Sequence, residues 1–315
     1  MEKVDLHRHL EGAIRPETAL DLGKMTGAFP DAMTMEQFAE EVLVLSPMPL
    51  MDVLSRFDLM RRPITSYEAV QRISREVVED AVAEGITALN FRFSPMTLAP
   101  AAGITVQEAF QAVHDGIDEA LNQTADLCIE RLAIVSRGRG LEKAWQLVKE
   151  LETGAAERID GVDFASDEIR FPTGQFSEVA HAIDAMKLPI TVHTGEGVGP
   201  SAIKETLTLP GLQRISHALS LVEEEALLEE VLERDMLVEV SPSSNLYTTL
   251  VKHPGQHPAR VMIERGIRIA ICTDDPTLFG INLDHEWELA RNHLGMSDEM
   301  LQQSQQWAKE AMFTG

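Results

Sequence analysis

The sequence predicts an α/β protein built as a single (β/α)8 barrel of the TIM type. Short apolar or β-branched runs alternate with longer amphipathic segments, and each run ends on polar or ionisable residues. No Gly/Ser-rich or Pro-rich linker divides the 315 residues into two parts. Because alternating strands and helices form a parallel sheet, we expect residues 1–315 to close into one barrel domain rather than two open sheets.

The apolar runs give the eight strands of this barrel in chain order. They lie at residues 4–7, 88–93, 128–135, 161–165, 190–193, 214–217, 237–240 and 268–271. Helical patterns lie between them, at residues 70–84, 106–122, 141–151 and 223–234. Gly85 precedes the second strand and Gly266 the eighth, as expected for short helix-to-strand connections that need a left-handed residue.

Residues 27–62 interrupt this alternation after the first strand. The segment carries apolar residues at roughly helical spacing, and we predict a helical insertion. These residues are Met48, Leu50, Met51, Leu54 and Phe57. Such a stripe is typical of a helix packed on a core. Its place after the first strand also puts it above the carboxyl ends of the strands, where it would act as a lid.

Composition excludes several classes of function. The chain has 27 Lys and Arg against 51 Asp and Glu, a formal net charge of −24. This charge repels nucleic-acid phosphates and anionic membrane surfaces, so neither is an expected partner. The two cysteines, Cys128 and Cys272, are too few for a disulfide framework or a four-cysteine zinc site. With no apolar leader or membrane-spanning run, we expect a cytoplasmic protein, and its oligomeric state stays open.

Ionisable residues gather at the ends of four predicted strands. His7 and His9 end the first strand and share one face, because side chains two residues apart in a strand point the same way. His193 ends the fifth strand, His217 ends the sixth, and Asp274 lies just beyond the eighth. The carboxyl ends of parallel barrel strands meet at one face. Three imidazoles and one carboxylate suit Zn²⁺ with water completing the site, so this joint occurrence predicts a metal centre.

We expect one metal ion rather than two. Two-zinc barrel hydrolases generally bridge their ions with a lysine carbamate or a glutamate from the fourth strand, and residues 161–165 contain neither. The one acid of that strand is Asp163, and the following pair Asp167 and Glu168 are candidates for supporting acids. The remaining histidines lie in helical or loop contexts and are interpreted as structural: His114, His181, His253, His257, His285 and His293.

Seven motifs, in this order along nearly the whole chain, carry a resemblance to a known family. They are His7-Arg8-His9-Leu10-Glu11-Gly12, Phe91-Arg92-Phe93-Ser94-Pro95, Ala165-Ser166-Asp167-Glu168, His193-Thr194-Gly195-Glu196, Ser216-His217-Ala218, Ser241-Pro242-Ser243-Ser244-Asn245 and Thr273-Asp274-Asp275-Pro276. Together they resemble the adenosine deaminase family, zinc-dependent purine deaminases of the amidohydrolase superfamily. Cytidine and nucleic-acid deaminases combine an H-x-E motif with a later P-C-x-x-C, and the P-C-x-x-C half is absent from the sequence.

The resemblance implies a role for each matching residue. The zinc ligands would be His7, His9, His193 and Asp274. Glu196 would protonate the ring nitrogen beside the reacting carbon, His217 would orient the attacking water, and Asp275 would hold the purine N7. These roles fit hydrolytic deamination, which needs a metal-activated water at neutral pH and a carboxyl that stays protonated. The implied reaction converts the 6-amino group of adenosine, or of a related adenine nucleoside, to a 6-oxo group and releases ammonia.

Two departures from the family pattern concern the substrate. Glu11 stands where adenosine deaminases usually have aspartate at the ribose 5′-hydroxyl, and Ser166 stands where the family usually has glycine. Both are therefore candidate substrate-binding residues. Free adenine and a 5′-modified adenosine, such as aminofutalosine or methylthioadenosine, remain alternative substrates. A non-catalytic binding protein on the same fold is the alternative from another class of function.

Overall fold

All eight predicted strands form in the structure, a computed structural model that describes residues 2–123 and 127–314. They make one parallel sheet in which each strand pairs with the next along the chain. The strands are β1 (Val4–His9), β2 (Ala88–Phe93), β3 (Cys128–Ser136), β4 (Gly161–Ala165), β5 (Ile190–Thr194), β6 (Leu212–His217), β7 (Leu237–Val240) and β8 (Ile269–Ile271). The sheet closes after β8, where the Asp274 N–H donates to the His7 carbonyl and the His9 N–H donates to the Asp274 carbonyl. The predicted (β/α)8 barrel is confirmed.

Helices surround the barrel, and the four predicted helical patterns correspond to α4, α6, α7 and α10. The helices are α1 (Pro16–Thr26), α2 (Met35–Val42), α3 (Leu50–Arg61), α4 (Tyr67–Ala83), α5 (Pro95–Ala102), α6 (Val106–Leu121), α7 (Leu141–Glu152), α8 (Ser177–Ala185), α9 (Pro200–Thr206), α10 (Glu225–Glu233), α11 (Pro242–Tyr247), α12 (Ala259–Glu264), α13 (Pro276–Phe279), α14 (Leu283–Leu289) and α15 (Asp298–Glu310). Gly85 and Gly266 both have positive φ angles, as the helix-to-strand connections require. Within residues 2–123 and 127–314, no helix has the length and apolar character needed to cross a bilayer.

The insertion at residues 27–62 contains α2 and α3. Thr34 and Gln37 form a capping box at the start of α2. On α3, Val53 and Met60 are buried, whereas Met51 is 47% exposed. The apolar stripe is therefore divided between core packing and a surface that faces the carboxyl ends of the strands. Its role as a lid stays a prediction.

Charged side chains fill the barrel interior, which the apolar strand pattern did not predict. Arg92 on β2 donates to Asp163 on β4 and to Glu239 on β7. Arg214 on β6 also donates to Glu239, at 2.8 Å. These four side chains are fully buried, so each charge depends on its partners for the solvation it has lost. The network fixes the two carboxylates directly beneath the candidate site.

The C-terminal segment covers the opposite end of the barrel, where the strands begin. The Arg214 guanidinium lies 3.7 Å from the centre of the Phe313 ring and donates to the Ala311 carbonyl at 2.6 Å. The same ring packs on Gly161, where a side chain would collide with it. Residues after α15 therefore close the amino-terminal end of the barrel and leave the carboxyl end open.

Candidate active site

The carboxyl ends of the strands open into a cavity of about 720 Å³. The predicted site residues line it, apart from His7, whose side chain is fully buried beside His9. The lining predicted residues are His9, Glu11, Ser166, His193, Glu196, His217, Asp274 and Asp275. Helix α3 contributes to the wall above them through Leu50, Met51 and Leu54. Residues distant in the sequence are thus brought to one place by strand order alone.

Three imidazoles and one carboxylate converge at the floor of this cavity. The Nε2 atom of His9 lies 2.9 Å from Nε2 of His7 and 3.3 Å from Nε2 of His193. The Asp274 Oδ1 atom lies 3.4 Å from the His7 Nε2 atom and 3.3 Å from the His9 Nε2 atom. Tetrahedral ligands at zinc-nitrogen distances stand about 3.3 Å apart, so these separations fit a zinc ion. His217 also lies within reach of the same group, with Nε2 3.8 Å from Asp274 Oδ2.

Two buried carboxylates orient the imidazoles. Glu239 accepts a hydrogen bond from His7 Nδ1, and Asp163 accepts one from His193 Nδ1, both at 3.0 Å. With the proton held on Nδ1, each ring presents the lone pair of Nε2 to the cluster. Converging lone pairs beside a carboxylate repel one another unless a cation lies between them. The donor set therefore fits a metal ion by its own chemistry.

Sequence reasoning did not find the orienting roles of Asp163 and Glu239. The signal was nevertheless present. Asp163 on β4 and Glu239 on β7 each lie between two apolar residues of a short strand. Successive side chains of a strand point to opposite faces, so each acid points away from the face of its two neighbours. In a closed barrel that opposite face is the interior.

Three site residues have a left-handed backbone conformation. The φ angles are 73° at Ser166, 62° at His217 and 64° at Asp274. Non-glycine residues adopt such angles at a cost, and they persist where the surrounding structure imposes them. This conformation explains why glycine suits the position of Ser166, and it aims the His217 and Asp274 side chains into the cavity.

Glu196 lies in a loop held by a second carboxylate. Glu168 accepts hydrogen bonds from the backbone N–H groups of Gly195 at 3.0 Å and Gly197 at 2.6 Å, which fixes the loop on both sides of Glu196. The Glu196 Oε1 atom is 4.0 Å from His217 Nε2. Burial, followed by the nearby charges of Asp274 and Glu168, raises the pKa of Glu196 to about 8. These surroundings favour the protonated form of the Glu196 carboxyl.

A chain of hydrogen bonds lies behind His217. The Asn245 side chain lies 3.1 Å from His217 Nδ1 and 3.1 Å from His257 Nε2. The backbone N–H of Ala259 donates to His257 Nδ1 at 3.1 Å. His257, interpreted from the sequence as structural, thus belongs to the surroundings of the site. Burial lowers its pKa to about 4, so it is neutral.

Two carboxyl oxygens in the cavity lack a protein partner among residues 2–123 and 127–314. They are Oε1 of Glu11 and Oδ1 of Asp275. Buried polar atoms are normally hydrogen-bonded, so an unpaired oxygen on a residue that lines the cavity is a candidate for pairing with a ligand. Ser166 lies nearby, and its Oγ packs close to Gly138. The cavity thus has a metal-type cluster at its floor and unpaired polar groups on its walls.

Comparisons with known proteins agree with this arrangement. The family model described as "Adenosine deaminase" matches residues 2–314. An adenosine deaminase of Escherichia coli (strain SMS-3-5 / SECEC) is 35% identical over 305 residues, which is 96% of this chain and 90% of that protein.

Solved structures are also similar over nearly the whole chain. An adenine deaminase from Arthrobacter aurescens has a TM-score of 0.91 at 20% identity, covering 99% of this chain and 94% of that one. Arabidopsis ADAL complexed with GMP has a TM-score of 0.84 at 26% identity, covering 99% and 92%. The first of these shares the fold, and the second is similar in both fold and sequence.

Proposed function

The chain belongs to the adenosine deaminase family, and we propose that it hydrolyses the 6-amino group of adenosine or a related adenine nucleoside to the 6-oxopurine and ammonia. Family membership makes it a hydrolytic deaminase. One observation carries the proposal for this site: a buried carboxyl with a raised pKa, Glu196, stands beside a convergent histidine and aspartate cluster. Proton donor and metal-type ligands are the two parts that hydrolytic deamination requires.

We infer that His7, His9, His193 and Asp274 hold one zinc ion. When bound, zinc lowers the pKa of a coordinated water toward neutrality and so supplies a nucleophile at physiological pH. The interatomic distances and the Nδ1 hydrogen bonds of His7 and His193 support this ligand set. Asp163 and Glu239 hold the two rings so that each Nε2 lone pair faces the ion.

The side chains around the cluster act on the substrate. Glu196 protonates the purine ring nitrogen beside the reacting carbon, which breaks the aromaticity of the ring as attack occurs. Glu168 keeps the Glu196 loop in place. His217 orients the attacking water. Burial raises the pKa of Asp275, which supports its assignment to the purine N7, because N7 accepts hydrogen bonds and a protonated carboxyl can donate one.

The sugar end of the substrate is assigned to Glu11 and Ser166. The unpaired Oε1 of Glu11 supports this, since a hydroxyl of the substrate would satisfy it. Glutamate reaches one methylene further than aspartate. We therefore expect a nucleoside, with a 5′ substituent tolerated, in preference to free adenine, which would leave a buried carboxylate without a partner.

The test is ammonia release from the zinc-loaded protein with adenosine, 5′-deoxyadenosine, a 5′-thioether of adenosine and free adenine. We expect turnover of the nucleosides and a lower kcat/KM for free adenine. A strong preference for free adenine would contradict the nucleoside assignment and leave the deaminase chemistry intact. Binding of these compounds without any ammonia release would instead favour a non-catalytic binding protein.

A further inference from the structure

Four cationic side chains line the cavity of a strongly acidic protein. They are Arg61, Arg139, Lys143 and Arg170. Arg61 pairs with Asp58, and Arg170 pairs with Asp167. Arg139 and Lys143 differ, because neither forms an ion pair with any carboxylate in the described part of the chain.

The contacts of Arg139 leave most of its donors free for a ligand. Its Nε donates to Thr97 Oγ1 at 2.8 Å, which fixes the side chain on the cavity wall, and the described residues supply no partner for its two terminal nitrogens. Lys143 donates to Gln146 Oε1 at 2.9 Å, a contact between neighbours on α7. A guanidinium whose fork is unpaired is suited to a carboxylate or a phosphate.

Arg139 lies at the end of the cavity assigned to the sugar. The residue before it, Gly138, packs against Ser166. Burial and the nearby charge of Arg61 lower the pKa of Arg139, whereas the carboxylates of Asp58 and Glu11 act in the opposite direction. Glu11, Ser166 and Arg139 therefore form one neighbourhood.

We propose that Arg139, assisted by Lys143, binds an anionic substituent, a phosphate or a carboxylate, carried on the ribose side of the adenine nucleoside. This rests on the proposed function, whose substrate it specifies further. Glu11 would bind a hydroxyl of the ribose, and Arg139 the anion beyond it. In a chain of net charge −24, such a cation pair also supplies local attraction for a substrate that the rest of the surface repels.

The experiment compares kcat/KM for adenosine, adenosine 5′-monophosphate and adenosine 5′-carboxylate in the native protein and in Arg139→Gln. We expect the kcat/KM of at least one anionic compound to exceed that of adenosine about tenfold or more. Arg139→Gln should lower this ratio of kcat/KM values by a similar factor. Comparison of the 5′-monophosphate with the 5′-carboxylate shows which anion is preferred. Arg291→Gln, which changes the net charge equally on the surface, should keep the native ratio.

Binding of the unreactive pair inosine and inosine 5′-monophosphate, measured by calorimetry, gives a readout that needs no turnover. The anion site would be refuted if Arg139→Gln kept the native ratio of anionic to neutral compound. It would also be refuted if the native protein preferred the neutral compounds in both kcat/KM and binding. Neither result would contradict the deaminase activity. Absence of ammonia from every compound would instead contradict the proposed function, and the calorimetry would still decide for or against the anion site.

The hydrogen bonds behind His217 carry a second inference independently. A backbone N–H only donates, so His257 Nδ1 is an acceptor and its proton is on Nε2. The Asn245 atom facing that Nε2–H is therefore its oxygen, and its NH2 group faces His217. His217 Nδ1 must then accept, which leaves the proton on Nε2.

We infer that Asn245 and His257 are positioning residues that hold His217 with an N–H at Nε2, pointing into the cavity. His217 then donates a hydrogen bond there, toward the oxygen atoms of water or substrate. The donor and the acceptor of each of these hydrogen bonds follow from the backbone N–H of Ala259, which can only donate. An imidazole held in the other tautomer would present a lone pair instead.

Asn245→Asp tests this, because a carboxylate accepts from both rings and draws the His217 proton to Nδ1. Long-range ¹H–¹⁵N NMR of the zinc-loaded protein should show His217 protonated at Nε2 in the native chain and at Nδ1 in the variant. We expect kcat to fall by about 10²-fold or more with a smaller change in KM. Asn282→Asp, the same change at an exposed helix cap, should affect neither measurement.

A native spectrum with the proton on Nδ1 would refute the inference even if the variant did not fold. A variant whose His217 proton moves while kcat stays at the native value would refute the positioning role.

Discussion

Buried carboxylates decide how the individual side chains of the site are presented. Asp163 and Glu239 each hold one imidazole, and Glu168 holds the loop of Glu196. Each of the three acts through another group, by a hydrogen bond to an imidazole or to the loop backbone. Their effect is to set ring orientation and loop position before any ligand arrives, which is the kind of preorganisation that catalysis needs.

Glu196→Gln should retain zinc and substrate binding but lower kcat by about 10²–10⁴-fold, because an amide cannot donate the proton that a carboxyl supplies. Steady-state kinetics together with metal analysis measure both properties. Glu288→Gln, at an exposed position on α14, is the matched control and should behave like the native protein. A kcat near the native value would remove Glu196 from the mechanism.

Asp163→Asn should weaken zinc binding by about 10–100-fold, because His193 loses the anion that fixes its Nδ1 proton. Arg92 keeps its pairing with Glu239 in this variant, so the barrel interior should remain folded. Competition with a zinc chelator measures the affinity, and Asp31→Asn in an exposed loop is the control. Equal affinity in the two variants would contradict the orienting role of Asp163.

At the scale of secondary-structure elements, some apolar residues of α3 pack in the core and others line the cavity. Met60 is fully buried in the main core, whereas Met51 is exposed and lines the cavity. An apolar wall above the site excludes bulk water and covers an aromatic base. The two methionines therefore mark the buried face of α3 and the face that lines the cavity.

Met51→Ser should raise KM with little change in Tm, if α3 acts as a lid. Met60→Ser, on the same helix, should lower Tm by several degrees, because it leaves a cavity and a hydroxyl in an apolar core. Thermal unfolding and kinetics of both variants test this. A large loss of Tm in Met51→Ser with an unchanged KM would show that the exposed face is also structural.

The segment after α15 packs against the end of the barrel that lies opposite the candidate site. Phe313→Ala removes the ring that lies over Arg214 and should destabilise the protein by about 1–3 kcal/mol. Its kcat/KM should stay at the native value, since the active face of such barrels is the opposite one. A loss of kcat/KM without a loss of Tm would contradict this division.

At the scale of the whole molecule, the proposed metal centre links β1, β5 and Asp274, three residues beyond the end of β8. Asp274 also closes the barrel through its backbone. A ligand that binds only the folded state stabilises it by an amount that grows with its concentration above Kd. Metal binding and barrel stability should therefore be coupled.

Exhaustive chelation should lower Tm and abolish ammonia release, and both should return with one equivalent of zinc per chain. Removing the ion leaves the lone pairs of His7, His9 and His193 facing Asp274 without compensation. Metal analysis and calorimetric unfolding give the two measurements. Two equivalents per chain, or full activity after chelation, would contradict the single-ion proposal.

The sequence by itself determined the strands, their order and the residues at their carboxyl ends. Apolar runs, glycine turns and motifs such as His7-Arg8-His9 are signals within a few residues, and side-chain alternation along a strand converts them into positions on a face. The short strands of a parallel barrel then bring those ends together without further information. For that reason the fold and the convergence of the histidines followed from the sequence.

Only the tertiary structure showed which partners meet across the barrel. His7 and Glu239 are 232 residues apart, and His217 and Asn245 are 28 apart. These pairings depend on strand register and on barrel closure, and a shift of one residue would turn every side chain of a strand to the opposite face. The left-handed backbone of His217 and Asp274 is likewise imposed by the surrounding chain rather than by local preference. The orientation of the imidazoles, the direction of their hydrogen bonds and the position of Arg139 on the cavity wall are therefore properties of the folded molecule.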